Sequence, residues 1–303
     1  MQPRLSLVIA TYNRSAKLVT TLESVVRQTL DPKLWEAIVV NNNSSDDTAE
    51  VFAVFAAKYQ GFNLRMIMET AQGVSPARNR GVEESAGLYI VVIDDDEIAC
   101  EELLETYYRF FEDNPEIAAA GGKILPRYES EPPEWISRYT ERAIAGTLDL
   151  GEEKKPFPDG KFFAGGNHAF RRDIVDKYGL YDPELGRTGN VLLAGEEKDL
   201  YMRLKDGGEQ IWYLPDAVIY HLINPERLTR SYFEKLCFNI GRSERVRTLN
   251  ISKGKYAERL IMEMVKWLGA SVLAVGYLLK MQPWRGWYLI IMRAQVTRGL
   301  FSR

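Results

Sequence analysis

The chain has 303 residues, of which 46% are hydrophobic and 27% charged, and its formal net charge is −3. This is a globular composition, long enough for one large α/β domain with an appendage or for two small domains, and it excludes disordered and fibrous proteins. The two cysteines, Cys100 and Cys237, supply no disulfide framework and no CxxC metal pattern, which fits a reducing, intracellular setting.

The opening segment MQPRLSLVIATYNR reads as a first strand, not a signal peptide. Leu5–Ala10 is a short apolar run ending in the polar turn TYNRS. Ser15 is placed to cap a helix carrying Leu18, Leu22, Val25 and Val26 at helical spacing. Trp35–Val40 is a second buried strand, followed by the turn NNNSSDDT and a helix through Val51–Tyr59. Leu64–Met68 is a third strand. Pro76 sits early in a helix, where proline is tolerated. Tyr89–Ile93 is a fourth strand that runs into Asp94, Asp95 and Asp96. Strand, polar loop and helix in repetition predict a parallel sheet flanked by helices. Ligands bind such sheets at the carboxyl ends of the strands. The clusters 11–14, 41–47 and 94–96 are therefore expected to converge on one edge.

Residues 126–160 read as loops bordering an acceptor cleft. Lys161–Phe170 reads as a strand with a Gly-Gly turn, and Glu196–Lys205 as a helix with acidic residues first and basic ones last. Ile211–Tyr213 and Val218–Tyr220 read as two short strands. From Arg227 onward the pattern is helical. Trp267–Leu279 is apolar over 13 residues, short of the roughly 20 that a spanning helix needs. Trp284, Trp287 and Tyr288 beside arginines suit a helix lying in a membrane interface, the alternative being a helical hairpin packed on protein. Charge is uneven. Residues 226–303 carry 15 Lys+Arg and 5 Glu, a net +10, and the preceding residues carry −13. Such a tail meets a polyanion or folds on an acidic body.

Three adjacent carboxylates at a strand end repel one another unless a cation neutralises them. In this context a metal–diphosphate site is favoured over an acidic turn. The amides and hydroxyls of residues 41–48 can read a base or ribose edge, and can equally cap the next helix. Arg78 suits phosphate, although alone it reads as a solvent-facing helix arginine. Glu196, Glu197 and Asp199 supply paired carboxylates for proton transfer, or simply favourable acids at a helix start. His221, ending AVIY, is a metal-ligand candidate or a hydrogen-bonded strand-end histidine. His168 receives no role.

Taken in order, IATYNR, VVNNNSSDDT, GVSPARNRG, VVIDDDE, GGNHAFRRD with GEEKDLYMRL, and YLPDAVIYH resemble the inverting family-2 glycosyltransferases with the GT-A fold, over residues 4–222. The resemblance implies an α/β catalytic domain over residues 1–225, with a nucleotide-sugar half (1–125) and an acceptor half (126–225). A basic helical tail (226–303) follows, for contact with a membrane surface or partner. It implies that Thr11, Tyr12, Asn13, Arg14, Asn41, Asn42, Ser44, Arg78, Asp94 and Asp95 line the nucleotide-sugar. Asp96, Asp94 and His221 would hold Mn²⁺ or Mg²⁺, and Gly165, Gly166 and Asn167 would lie on the acceptor side. Glu197 stands where the family has an aspartate base, so Glu196 and Glu197 both remain candidates. Asn41 stands where an aspartate often meets the base, which weakens the inference to uracil. The implied donor is a UDP-sugar, with GDP- or dTDP-sugars as alternatives. The implied acceptor is a glycan or lipid-linked hydroxyl at the cytoplasmic, inner face of the cell membrane, whose anionic surface the tail would contact. A sugar nucleotidyltransferase is disfavoured because TYNRS lacks a glycine-rich phosphate cradle. A non-catalytic sugar-nucleotide-binding subunit is disfavoured by the acidic triplet and the Glu pair. No GxGxxG follows the first strand, which argues against a dinucleotide oxidoreductase. The long apolar runs of the tail argue against nucleic acid.

Overall fold

The structure, a computed structural model, describes residues 2–163, 165–189 and 192–302. Its first half follows the alternation of apolar runs and polar turns: β1 (Leu5–Thr11), α1 (Ser15–Val25), β2 (Trp35–Asn41), α2 (Thr48–Lys58), β3 (Leu64–Met68), α3 (Val74–Glu84) and β4 (Tyr89–Asp94). These strands pair in parallel in the order β3-β2-β1-β4. Every residue of β2 is buried, as a parallel strand covered on both faces requires. Ser15 is the first residue of α1 and does not cap it; the capping position is Arg14, whose side chain makes no cap bond.

Beyond β4 the chain forms β5 (Glu97–Ala99), α4 (Leu103–Asp113), β6 (Ala119–Tyr128), α5 (Arg138–Ala145), β7 (Lys155–Pro156), β8 (His168–Arg171), α6 (Asp173–Tyr178), α7 (Glu196–Asp206) and β9 (Ile211–Ile223). The sheet continues β4-β8-β6-β9-β5, with β7 on β9. The pairs β4–β8, β8–β6 and β5–β9 are antiparallel, so a parallel half is joined to an antiparallel one. Three local expectations change. The expected loop over 126–160 contains α5, opened by a capping box between Ser137 and Thr140. The two short strands are one 13-residue strand, β9, running through Pro215. The strand expected over 161–170 begins only at His168.

The chain divides into two compact units. One comprises residues 1–125, 148–183 and 196–222, the other 126–147, 184–195 and 223–303. The second unit thus takes in, beside the C-terminal residues, segments that the sequence pattern assigns to the first 225. The core of the first unit is built from the sheet, with Leu7, Val8, Ile38, Val39, Val91 and Val92 fully enclosed. The second unit is built on α8 (Arg230–Ile251), α9 (Lys253–Leu279) and α10 (Pro283–Leu300). Thr229 and Ser252 cap α8 and α9 through their side chains. Trp135 stacks on Tyr288 at 4.2 Å and packs beside Phe233. The apolar run Trp267–Leu279 lies in α9, which extends 14 residues further toward its N-terminus.

Helices α8 and α10 approach closely where Gly241 meets Gly299. A Cβ on Gly241 would collide with the Val296 carbonyl, and one on Gly299 with the Phe238 carbonyl. Backbone cannot yield there as a side-chain tip can. Gly299→Ala should therefore cost about 1–3 kcal/mol. Chemical denaturation of wild type and variant measures this, and equal midpoints would show that the helices separate at little cost.

Candidate active site

Parallel register aligns the ends of the first strands. Thr11 lies beside Asn41, and Ala10 beside Asp94. The polar clusters 11–14, 41–47 and 94–96 consequently meet at one sheet edge. The loops over residues 11–14 and 41–47 are stitched together. Asn13 accepts from the Ser45 N–H at 2.7 Å through its side chain, and its own N–H donates to Ser44 Oγ at 3.0 Å. Asn13 and Asn43 adopt φ of +52° and +67°, a left-handed conformation that asparagine tolerates better than most residues. Asn41 Oδ1 accepts from the Ser44 N–H at 2.9 Å. Tyr12 keeps its ring 38% exposed.

Two arginines pair with the acidic triplet. Arg14 Nη1 reaches Asp95 at 2.8 Å and Asp96 at 2.9 Å. Thr11 Oγ1 donates to Asp95 at 2.8 Å. Arg78 is not solvent-facing but 1% exposed. Its Nη2 meets Asp94 at 2.6 Å, and its Nη1 meets Glu196 at 3.0 Å and Glu197 at 2.9 Å. One guanidinium therefore ties the end of β4 to the start of α7. His221 Nε2 lies 3.5 Å from Asp96 Oδ1, because β9 pairs Glu97 with His221.

These contacts set the protonation states. Burial pushes the Asp95 carboxyl up despite Arg14. Asp94 also loses solvation, but the charge of Arg78 outweighs this and holds it below the usual carboxylate range. Burial, with Glu197 beside it, pushes Glu196 up to about 8. Its Oε2 is buried without a hydrogen-bond partner. Glu197 is the more open of the pair, its side chain 12% exposed against 5%.

Some expected contacts have other occupations. Asn42 donates to the Glu69 and Ala71 carbonyls and accepts from the Gly73 N–H and Gln72. Its amide is spent on holding the loop before α3 and has no capacity left for a ligand. Asn167, expected on the acceptor side, is fully buried. It donates to the Lys123 and Ala217 carbonyls and accepts from Tyr107. Gly166 lies inside the fold as well: a Cβ there would collide with the Asp94 N–H and Glu97. Gly165, at φ +59°, makes the turn before it.

Three buried residues packed against this cluster escape the sequence. Glu97, 1% exposed, accepts from the Asp94 N–H at 2.8 Å and the Gly166 N–H at 3.3 Å. Burial and the charge of Asp94 push its carboxyl well up, toward the neutral form. The run DDDE was its only signal. His168 and Tyr181 share a 2.5 Å hydrogen bond. The Tyr181 ring lies under the Arg78 guanidinium, 5.6 Å from centroid to carbon. Burial lowers His168 to about 3, which keeps it neutral. No spacing in the chain links these two.

Among the described residues no three His, Cys, Asp or Glu side chains form a ready-made metal cage. The donor chemistry nonetheless suits a hard or borderline divalent ion. Asp96 and His221 present an oxygen and a nitrogen at adjacent-ligand separation, and Mg²⁺-type sites commonly complete their shell with substrate phosphate and water.

The glycosyl transferase family 2 model matches residues 6–179. The chain belongs to glycosyltransferase family 2. It is 27% identical over 262 residues to a glucosyl-dolichyl phosphate glucuronosyltransferase of Haloferax volcanii, covering 81% of this chain and 78% of that protein. Its fold is that of the mannosyltransferase PcManGT from Pyrobaculum calidifontis, solved with GDP-Man and Mn²⁺ (TM-score 0.65, 14% identity, 99% of this chain and 86% of that one). S. aureus TarS 1-349, solved with UDP, matches at TM-score 0.56 and 17% identity, over 82% of this chain and 66% of that one. The expected GT-A fold is thus present, with a C-terminal helical region.

The raised Glu196 carboxyl makes a prediction about pH. Its folded value of about 8 lies above its ordinary value of 4.5. The stability it contributes is fully present below pH 4.5 and is lost as pH rises through about 8. Glu196→Gln keeps the acceptor for Arg78 and removes this titration. Its melting temperature should fall less steeply than that of the wild type between pH 5 and 9, and parallel curves would exclude a protonated Glu196.

Proposed function

We propose that this glycosyltransferase moves a sugar from a nucleoside-diphosphate sugar to a hydroxyl acceptor, with inversion at the anomeric carbon. The observation that carries this reading is Arg78, which brings the carboxylate end of the nucleotide-side strand and the Glu pair of α7 within one guanidinium's reach. A leaving-group site and a base thereby stand side by side.

Thr11, Asn13, Asn41 and Ser44 border the nucleotide, and Tyr12 offers its exposed ring to the base. A divalent ion, Mn²⁺ or Mg²⁺, held by Asp96 and His221 with Asp94 adjacent, would neutralise the diphosphate as it leaves. Mn²⁺ in the related mannosyltransferase structure supports that choice. Arg14 and Arg78 hold the surrounding carboxyl groups in place. Glu196 holds its own proton, so Glu197 is the base. It accepts the acceptor hydroxyl's proton as that oxygen bonds the anomeric carbon and the bond to the diphosphate oxygen breaks.

UDP in the TarS structure and GDP-Man in the mannosyltransferase structure are the nucleotide classes to compare first. The Haloferax relative acts, by its name, beside a dolichyl-phosphate-linked sugar. A lipid-linked or cell-envelope glycan acceptor at the cytoplasmic face of the membrane agrees with that and with the basic C-terminal residues.

Thermal melting with UDP, GDP and dTDP, each with and without Mn²⁺ or Mg²⁺, should single out one diphosphate that stabilises only with metal. Asp96→Ala should lose that metal-dependent shift. Stabilisation of equal size without metal would sink the metal assignment. Glu197→Gln should lower kcat on a lipid-phosphate-linked sugar by roughly 10²–10⁴-fold while leaving diphosphate binding intact. If Glu196→Gln suffers the loss and Glu197→Gln does not, the roles are reversed.

A further inference from the structure

Helix α9 is 27 residues long and contains an 18-residue window of mean hydropathy 1.4 that is only 11% buried; it is the one described helix long and apolar enough to cross a membrane. Its most exposed apolar residues gather on one side. At about 100° per residue, Ile261, Val265, Leu268, Val272, Val275 and Leu279 fall within about 80° of one another, forming a stripe about 27 Å long. Leu268, Val272 and Leu279 are 71%, 72% and 80% exposed. The stripe continues into the next turn with Met281, Trp284 and Trp287, which are exposed too. Lys253 and Lys280, both exposed, stand at the ends of the helix.

Toward its N-terminal half, the opposite side of α9 is occupied by polar contacts. Arg259 and Arg293 both pair with the buried Glu263, at 2.9 and 3.1 Å, and Arg259 also pairs with Glu244 at 3.0 Å. Trp267 Nε1 donates to Thr297 Oγ1 on α10 at 2.9 Å, and Tyr256 donates to the Leu300 carbonyl at 2.7 Å. A crossing α9 would carry α10 with it, and with α10 the charges of Arg285, Arg293 and Arg298 and the amide of Gln295. Charged side chains at membrane depth are costly. Lying flat, the stripe enters the acyl boundary while the ion pairs remain on the protein side. Tryptophans beside Lys280 and Arg285 suit the headgroup level.

We infer that α9 and the first turn of α10 dock in the plane of an anionic bilayer through this stripe, and that α9 does not cross it. The net +10 of residues 226–303 selects anionic over zwitterionic lipid. The inference takes only the membrane location from the function proposed above and is independent of the sugar chemistry.

Cosedimentation of the full chain with phosphatidylglycerol vesicles and with phosphatidylcholine vesicles tests it. Binding should be stronger to the first and salt-sensitive. The double variant Leu268→Glu/Val272→Glu should lower partitioning by more than about tenfold, with helix content, melting temperature and the diphosphate-induced shift unchanged. In cell membranes the wild type should be released by alkaline carbonate. Retention through carbonate would mean a spanning helix and overturn the inference. Equal binding of variant and wild type would overturn it also. A wild-type dimer without lipid that the double variant converts to monomer would assign the stripe to a second copy instead. Vesicle binding with no diphosphate response would support the surface and sink the sugar-transfer reading.

Discussion

The active edge depends on one buried cation. Arg78 is 1% exposed and faces three carboxylates. Burying any one of these acids alone would be costly, and burying three without a cation prohibitive. The guanidinium makes the cluster possible, and its planar fork sets the positions of the acids. The excess negative charge is then relieved by protonation, since Glu196 and the nearby Glu97 are both pushed toward their neutral forms. Behind the guanidinium, the Tyr181 ring and the neutral His168 present an uncharged surface that gives Arg78 no competing anion.

A second cation does the corresponding work at the other carboxylates of the triplet. Arg14 spans Asp95 and Asp96, and the loop that carries it is fixed by Asn13 and Ser44. The acidic triplet is thus split: Asp94 belongs to Arg78, Asp95 to Arg14 and Thr11, and Asp96 to Arg14 and His221. Adjacent carboxylates at a strand end point to different sides, so they can serve different partners. That division allows one short motif to meet both Arg14 and the guanidinium that holds the Glu pair.

The parallel half of the fold was legible because its signals are local. Leu5–Thr11, Trp35–Asn41, Leu64–Met68 and Tyr89–Asp94 are apolar runs closed by polar turns, and parallel pairing then brings their ends together without further information. The antiparallel half was not, because its cues conflict. Pro215 reads as a break, yet β9 runs through it, and Ser137 begins α5 within a stretch whose prolines suggest only loop. Within the site, carboxylates and loop residues were visible by type and order. The burial of Arg78 was not, since a helical arginine looks the same whether it faces water or a cluster 118 residues away. Asn42 and Asn167 misled for the same reason: an amide that satisfies backbone groups has the composition of one that reads a ligand.

The choice between Glu196 and Glu197 follows from geometry that one residue of offset creates. At the first turn of α7 both side chains reach the same Nη1 of Arg78, at 3.0 and 2.9 Å. Consecutive helical residues nevertheless project about 100° apart, so their second oxygens cannot share an environment. That of Glu196 is sealed from solvent and meets no partner among the described residues, where an ionised oxygen would be costly and a protonated one is tolerated. Glu197 keeps the greater access. Two carboxyls crowded at one guanidinium are thereby given different surroundings, the sealed Glu196 pushed up and Glu197 left more open. Arg78 thus holds both carboxyls at one guanidinium while leaving Glu197 the more open of the two.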